Sequence, residues 1–177
     1  MPAETKHKAP APRSEQIILF RCGSQLLAVS SASVQEVRSV DSLSGAAMAI
    51  NEPGIPKVRH SLRRDDRLLY VVNGSLHFGL KPTPAALIFL MRASRIALLI
   101  DSIEKMTTMT RLQALPLSFC NEERTWYRGL TVLEQSVIPV INPGGFLTDE
   151  ELLHLDVNTA NQLPPLESSA PSMEFGT

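Results

Sequence analysis

The feature that most constrains the fold is the stretch from Val58 to Asn73, which reads VRHSLRRDDRLLYVVN. Polar and apolar residues alternate in its first half, a charged group follows at Arg64–Asp66, and Leu68–Val72 is apolar. This order is typical of two antiparallel strands joined by a tight turn, so we predict a β-hairpin. The hairpin makes an all-β architecture the first hypothesis for the whole chain.

Short apolar runs on both sides of the hairpin repeat the same plan of paired strands. In chain order they span residues 17–20, 25–29, 86–91, 96–100, 126–133 and 137–141. Lys81-Pro82-Thr83-Pro84 separates the two passes, because proline removes a backbone donor and fixes the backbone. We therefore predict an all-β domain over residues 17–157, built from two small barrels with a subdomain break near 81–85.

Three segments have helical spacing instead. Val34, Val37 and Val40 recur every three residues after Ser31 and Ser33, either of which can cap a helix, so we predict a short helix. Residues 101–106 have a similar polar start and apolar positions spaced by three, so we predict a second turn of the same type. Thr148–Glu151 has the form of a capping box before a leucine-rich run, which predicts a C-terminal helix.

Composition excludes several functional classes. The chain has 17 basic and 18 acidic residues, so no strong field attracts nucleic acid or an anionic membrane. No apolar run approaches the ~20 residues that membrane insertion needs, and the start lacks the apolar core of a signal peptide. We therefore expect a cytoplasmic protein. The polar, proline-containing ends, residues 1–16 and 158–177, are predicted to be disordered tails.

No set of residues has the spacing of a catalytic, cofactor or metal site. The nine glycines are scattered and none opens a phosphate-binding loop. Cys22 and Cys120 are single cysteines without a nearby partner, and Cys22 lies in an apolar strand pattern typical of a buried thiol. The four histidines lie in different segments, at His7, His60, His77 and His154. We expect no cofactor and no metal, and an enzyme is only the third candidate function.

The hairpin also contains a group of basic residues. Its members are Lys57, Arg59, Arg63, Arg64 and Arg67. A nucleic-acid patch is one interpretation of such a group, but strand alternation divides the arginines between two faces. Asp65 and Asp66 also cancel two of the five charges. We therefore favour a salt-bridged, solvated hairpin.

Three stretches in order along residues 17–155 resemble the CheW family of adaptors, which couple chemoreceptors to the CheA histidine kinase. The first runs from Leu19 to Arg38 and includes Val34-Gln35-Glu36-Val37, similar to the Val-x-Glu-Val/Ile turn of the family. The second, residues 97–103, is similar to the family's Gly-hydrophobic-Val-Asp-x-Val stretch. The third, residues 127–147, is similar to its final hairpin.

The resemblance implies two SH3-like five-stranded β-barrels with a C-terminal helix, and a non-catalytic adaptor function. The implied partners are a CheA-type histidine kinase, the cytoplasmic helices of chemoreceptors and other CheW-like domains, at membrane-associated receptor arrays. We predict two groups of contact residues from the matching motifs. The first group is Val34, Glu36 and Val37, and the second is Leu98, Ile100 and Asp101.

The hairpin turn departs from the family pattern. When the family pattern is aligned to this sequence without gaps, the arginine of the family turn falls on Asp65 and its glycine falls on Asp66. A left-handed backbone conformation at that position is costly for any residue other than glycine. We predict that both aspartates contact the partner and change its identity, because a charge reversal acts on specificity. The alternative function is therefore a divergent scaffold or localisation factor with a different partner.

Overall fold

The computed structural model describes residues 14–162, which form eleven strands and three α-helices. The strands are β1 (Glu15–Cys22), β2 (Gln25–Ser30), β3 (Val34–Ser39), β4 (Ala47–Ala49), β5 (Val58–Arg64), β6 (Arg67–Asn73), β7 (Leu87–Met91), β8 (Ile96–Ile100), β9 (Ser102–Met109), β10 (Tyr127–Leu133) and β11 (Ser136–Ile141). The helices are α1 (Gly74–His77), α2 (Asn121–Arg124) and α3 (Asp149–Gln162). Short 3-10 turns precede β3, follow it, and precede α3.

The strands form two sheets, of five and six strands. The first has the order β10-β11-β2-β1-β9, and the second has the order β3-β7-β8-β6-β5-β4. The mostly β fold and the predicted hairpin are confirmed, with Arg64 paired to Arg67 across its turn. The two closed five-stranded barrels are not confirmed. Between the edges of the first sheet, for example, the described chain makes one bridge, from Gln113 after β9 to Leu130 in β10.

The two sheets are interleaved along the sequence. The chain begins in the first sheet with β1 and β2, builds the second sheet from β3 to β8, and returns to the first with β9 to β11. The predicted subdomain break near 81–85 does not separate the sheets, since β7 and β8 follow it and pair with β3 and β6. Prolines end a ladder, but they do not determine which sheet the next strand joins.

The two segments with a spacing of three are strands, so both predicted helical turns are wrong. In β3, Val34 pairs with Met91 and Glu36 with Leu90, which leaves Gln35 as an extra residue in a β-bulge. A bulge shifts the alternation by one position, so Val34 and Val37 face the same side of a strand. The same shift occurs in β9 between Lys105 and Ile103.

The largest core cluster lies between the two sheets, and we call this interface the seam. Phe20 of β1 and Phe89 of β7 meet there edge to face, with ring centroids 5.3 Å apart. Leu155 of α3 is also buried in this cluster. Two smaller clusters lie within the individual sheets. Most of the apolar surface of the strands is therefore used to hold the sheets together.

A short helix, α1, follows the end of β6. Its cap is Asn73, whose Oδ1 accepts a hydrogen bond of 3.1 Å from the backbone of Leu76. A Cβ atom at Gly74 would lie 2.6 Å from Cys22 Sγ and 2.7 Å from the Leu99 carbonyl oxygen, so only glycine fits there. Helix α1 therefore begins directly after Asn73, at a glycine that no other residue can replace. Burial raises the pKa of Cys22 to about 12, which keeps this thiol neutral.

Helix α3 begins with the predicted capping box. Thr148 N–H donates to Glu151 Oε2 at 2.9 Å, and Glu151 N–H donates to Thr148 Oγ1 at 3.1 Å. The helix continues to Gln162, and Thr159 in its last turns is buried. Residues 158–162, which we assigned to a tail, are therefore helical. Likewise β1 begins at Glu15, inside the predicted N-terminal tail. Residues 1–13 and 163–177 of the predicted tails lie outside the described range.

Polar contacts also hold α3 against the second sheet. Asp156 accepts two hydrogen bonds from Arg95, at 2.5 and 2.9 Å, and one from Tyr70 Oη at 2.5 Å. These donors hold the pKa of Asp156 below its usual range. Lys57 Nζ donates to the Phe146 carbonyl oxygen at 2.8 Å and pairs with Glu151 at 3.0 Å. The contacts of Asp156 and of Lys57 together fix helix α3 beside the seam.

Candidate protein-interaction surface

Two edge strands flank the seam. Strand β3 is the last strand of the second sheet and pairs with β7, and β9 is the last strand of the first sheet and pairs with β1. Within residues 14–162 neither strand has a partner along its outer edge. Such an edge presents unpaired backbone donors and acceptors, so both strands offer hydrogen bonds to another chain.

The register places exposed apolar side chains of these strands next to the Phe20–Phe89 contact. Val37 pairs with Phe89, and Ile103 pairs with Phe20, so each lies on the seam side of its sheet. Val37 is 40% exposed and Ile103 is 36% exposed, whereas both phenylalanines are buried. Met106, opposite Ile18, is 62% exposed on the same face of β9. We call Val37, Ile103 and Met106 the seam border.

A second group of side chains lies on the other face of β3. Glu36 forms ion pairs with Arg38, at 2.5 Å, and with Arg64 at the end of β5. In the order of the sheet, β3 and β5 are separated by three strands, so the Glu36–Arg64 pair shows that the sheet curls. The predicted contact residue Glu36 is thereby tied to the tip of the hairpin.

At that tip, Asp65 and Asp66 form the two-residue turn between Arg64 and Arg67. Both are exposed, and in the part of the chain that the structure describes neither forms an ion pair. Asp65 has the left-handed conformation, with φ of 50°, and Asp66 does not. The strained residue is therefore Asp65, one position earlier than the alignment with the family turn predicts.

Three of the five basic residues of the hairpin, Lys57, Arg64 and Arg67, bind elsewhere in the chain, and not the turn aspartates. Arg64 pairs with Glu36, and Lys57 pairs with Glu151. Arg67 donates to the carbonyl oxygens of Arg92 and Ser94, each at 2.9 Å, and so holds the β7–β8 turn. The salt-bridged hairpin is thus correct for Lys57 and Arg64, but their partners are distant in sequence.

In the described part of the chain, the cavities do not bring together a set of reactive groups. A cavity of about 480 Å³ lies beside α3 and is lined by Leu153, Val157, polar residues of α3 and Glu52. Among residues 14–162, no group of three or more His, Cys, Asp or Glu side chains is arranged to hold a metal ion. No helix in the same range is long and apolar enough to span a membrane.

Comparison with known proteins identifies the family. The sequence model of the CheW-like domain matches residues 16–151, which is most of the chain. The chain belongs to the CheW family. The scaffolding protein TtCheW from Thermoanaerobacter tengcongensis has a similar structure, with a TM-score of 0.62 and 12% sequence identity over 76% of this chain and 93% of TtCheW. At this identity the similarity shows the fold alone. No curated protein matches the sequence.

In this CheW-family chain, the predicted contact residues have different environments. Glu36, Val37, Asp65 and Asp66 are at least partly exposed and lie along β3 and the hairpin tip. Val34 is buried at the start of β3. Of the first predicted group, Glu36 is joined to the hairpin tip by its pair with Arg64, whereas the side chain of Val34 belongs to the core of the seam.

The second predicted group must be corrected. Leu98 and Ile100 are fully buried in the seam, with 0% exposure, so they stabilise the core and cannot contact a partner. Asp101 is partly exposed, but its Oδ2 accepts hydrogen bonds from Gly23 N–H at 2.7 Å and Thr83 Oγ1 at 2.6 Å. Its carboxylate therefore joins the β1–β2 turn to the proline-containing segment.

Two residues of the seam border were missed. Ile103 and Met106 lie in the segment that we predicted to be a helical turn, where a spacing of three hid the strand. The signal that identifies them is the composition of the segment after the apolar β8. This segment combines charged residues with two apolar residues on one face, which is typical of an edge strand. A strand pattern for residues 102–109 that allows one extra residue, as in a β-bulge, would have predicted this face.

Proposed function

We propose that this CheW-family chain is a non-catalytic adaptor that holds a CheA-type histidine kinase and chemoreceptor helices in a fixed relative geometry. The seam border is the observation that carries the proposal. Val37, Ile103 and Met106 are apolar, exposed and adjacent to a fully packed core. Exposed apolar residues next to a rigid core are typical of protein-binding sites.

The seam border is the proposed site for receptor helices. A helix that lies along it would cover Ile103 and Met106 from β9 and Val37 from β3. Apolar residues spaced by three or four on a helix form a continuous stripe, which matches a narrow apolar border. Because the sheets are packed together at Phe20 and Phe89, the border is already formed before a partner binds.

The hairpin tip is the proposed site for the kinase regulatory domain or another CheW-like domain. Asp65 and Asp66 project at the end of β5 and β6, and the Glu36–Arg64 pair fixes the tip relative to β3. Both proposed sites thus share β3, with Val37 on one face and Glu36 on the other. An adaptor with two sites on one rigid strand sets the relative position of its two partners. We place this complex at membrane-associated receptor arrays.

Binding to both partners tests the proposal. Purified full-length protein would be mixed with a receptor cytoplasmic fragment, with a kinase regulatory fragment, and with both, and complexes would be separated by size-exclusion chromatography. We expect a binary complex with each fragment and a ternary complex with both. At concentrations up to about 100 μM, weak signalling contacts with Kd near 10 μM are well populated. If the protein binds neither fragment in this range, the coupling function is rejected.

The second candidate is a divergent scaffold or localisation factor with a different partner. It is favoured by the two exposed aspartates of the tip, which form no ion pair within residues 14–162. The double variant Asp65→Asn and Asp66→Asn removes both charges, and asparagine tolerates the left-handed backbone at position 65. If the tip sets partner choice, this variant changes kinase binding and leaves receptor binding unchanged. If the partner binds another surface, the double variant binds as the wild type does.

A further inference from the structure

His77, the last residue of α1, is buried against three aromatic rings. It is 5% exposed, and its ring centroid lies 4.2 Å from that of Phe146, 4.3 Å from that of Trp126 and 4.9 Å from that of Phe78. Phe78 also packs edge to face against Trp126 and Phe146. The imidazole is therefore at the centre of an aromatic cluster.

This cluster joins three parts of the fold. Helix α1 extends from β6 in the second sheet, Trp126 immediately precedes β10 in the first sheet, and Phe146 lies two residues before the capping box of α3. The cluster is thus a contact between the two sheets and the C-terminal helix. It is built on short elements, because α1 has four residues and Trp126 and Phe146 lie outside strands.

The imidazole has no polar partner in this cluster. Neither Nδ1 nor Nε2 of His77 has a hydrogen-bond partner among the described residues. An unpaired buried polar atom is costly, and a charged imidazolium there is far more costly. Burial lowers the pKa of His77 to about 3, and the positive charge of Lys57 contributes in the same direction.

The charged groups near the cluster do not favour a protonated ring. Lys57, from the segment before β5, pairs with Glu151 of α3, so this carboxylate is already occupied by a cation. Burial raises the pKa of Tyr127, and the negative charge of Glu123 in α2 contributes in the same direction. Tyr127 stacks on Phe78, the residue that follows His77. No carboxylate in the described range accepts a hydrogen bond from the imidazole.

We propose that His77 makes this aromatic contact acid-sensitive, so that protonation of the imidazole separates α1 from Trp126 and Phe146 while both sheets remain folded. A solvated histidine binds a proton below about pH 6.5, and the buried ring does not. The open form is therefore favoured as the pH falls from about 6.5, by close to tenfold per pH unit. Above that pH neither form binds the proton, and the contact is at its most stable.

The chain contains a built-in reporter for this opening. Trp126 is the only tryptophan of the sequence, so intrinsic fluorescence reports on this cluster directly. Urea unfolding would be followed by Trp126 fluorescence and by far-UV circular dichroism, at pH 7.5 and at pH 5.0. For the wild type we expect coincident transitions at pH 7.5. At pH 5.0 we expect the fluorescence transition to occur at lower urea than the loss of strand signal.

Two variants and one control complete the test. His77→Phe and His77→Gln both remove the titrating group, the first apolar and the second polar, and we expect their two transitions to coincide at pH 5.0. His60→Gln replaces an exposed histidine of β5 and should behave as the wild type. Coincident transitions for the wild type at pH 5.0 would overturn the proposal. So would an acid-induced separation that persists in either His77 variant.

Discussion

At Gly145 the chain passes so close to Thr125 that no side chain fits. A Cβ atom there would overlap the Thr125 carbonyl oxygen, whereas at neighbouring Gly144 the nearest atom would be Asn142 Oδ1, at 3.6 Å. The side chain of Asn142 in turn donates to the same carbonyl at 3.0 Å. The segment between β11 and α3 is thus fixed to the segment before β10 by backbone contact.

We therefore predict that Gly145→Ala destabilises the protein and Gly144→Ala does not. The first substitution forces the backbone apart, at a cost of about 1–3 kcal/mol in the free energy of unfolding. The second should change that free energy by less than about 0.5 kcal/mol. Urea unfolding at pH 7.5 measures both. Equal stability of the two variants would show that the segment has no such close contact.

Helix α3 is the element that the sequence predicted best, and β3 and β9 are those it predicted worst. Thr148–Glu151 specifies the start of α3 through local hydrogen bonds, so a four-residue pattern is sufficient. The bulges in β3 and β9 depend on how each strand pairs with a neighbour distant in sequence. A local pattern with a spacing of three cannot distinguish a bulged strand from a helical turn.

The packing of α3 against the seam gives a prediction for the element. Leu155 is fully buried, and Leu153, on the outer face, is 62% exposed. Leu155→Ala should reduce the free energy of unfolding by about 2–5 kcal/mol, through lost burial and the cavity that remains. Leu153→Ala should change it by less than about 0.5 kcal/mol.

Both variants keep the helix propensity of the segment high, because alanine is the best helix former. Thermal unfolding of the two proteins side by side therefore isolates the packing contribution. If Leu153→Ala is as destabilising as Leu155→Ala, the helix does not pack on the seam as described.

For the whole molecule, the strand-rich composition was predictable and the connection of the sheets was not. The repeated apolar runs correctly indicated an all-β domain, but they suggested two consecutive halves. In the structure β1 and β2 pair with strands that follow residue 100, including β9 and β11. Such pairing depends on the register and packing of strands far apart in the chain, for which a single sequence has no local signal.

The same distinction holds for the interaction surface. Val37 was predicted because it lies in a motif, and the exposed turn at Asp65 and Asp66 followed from the hairpin. Ile103 and Met106 became visible only when the register placed them beside Phe20 and Ile18. Leu98 and Ile100 match a family motif, but they are core residues. A motif match therefore indicated the fold more reliably than the contact residues.

We propose that the seam border binds a receptor helix, and the variant Met106→Glu probes this binding at its most exposed residue. Burial of a methionine side chain contributes about 1.5–3 kcal/mol, so a charge there should weaken binding by at least about tenfold. The matched control is Met48→Glu on β4, the opposite edge strand of the second sheet, where Met48 is 39% exposed.

Titration calorimetry with the receptor cytoplasmic fragment compares wild type, Met106→Glu and Met48→Glu at one salt concentration, after circular dichroism has shown that all three are folded. We expect Met106→Glu to lose at least about tenfold in affinity and Met48→Glu to bind as the wild type does. Unchanged binding by Met106→Glu, or an equal loss in Met48→Glu, would contradict the proposal.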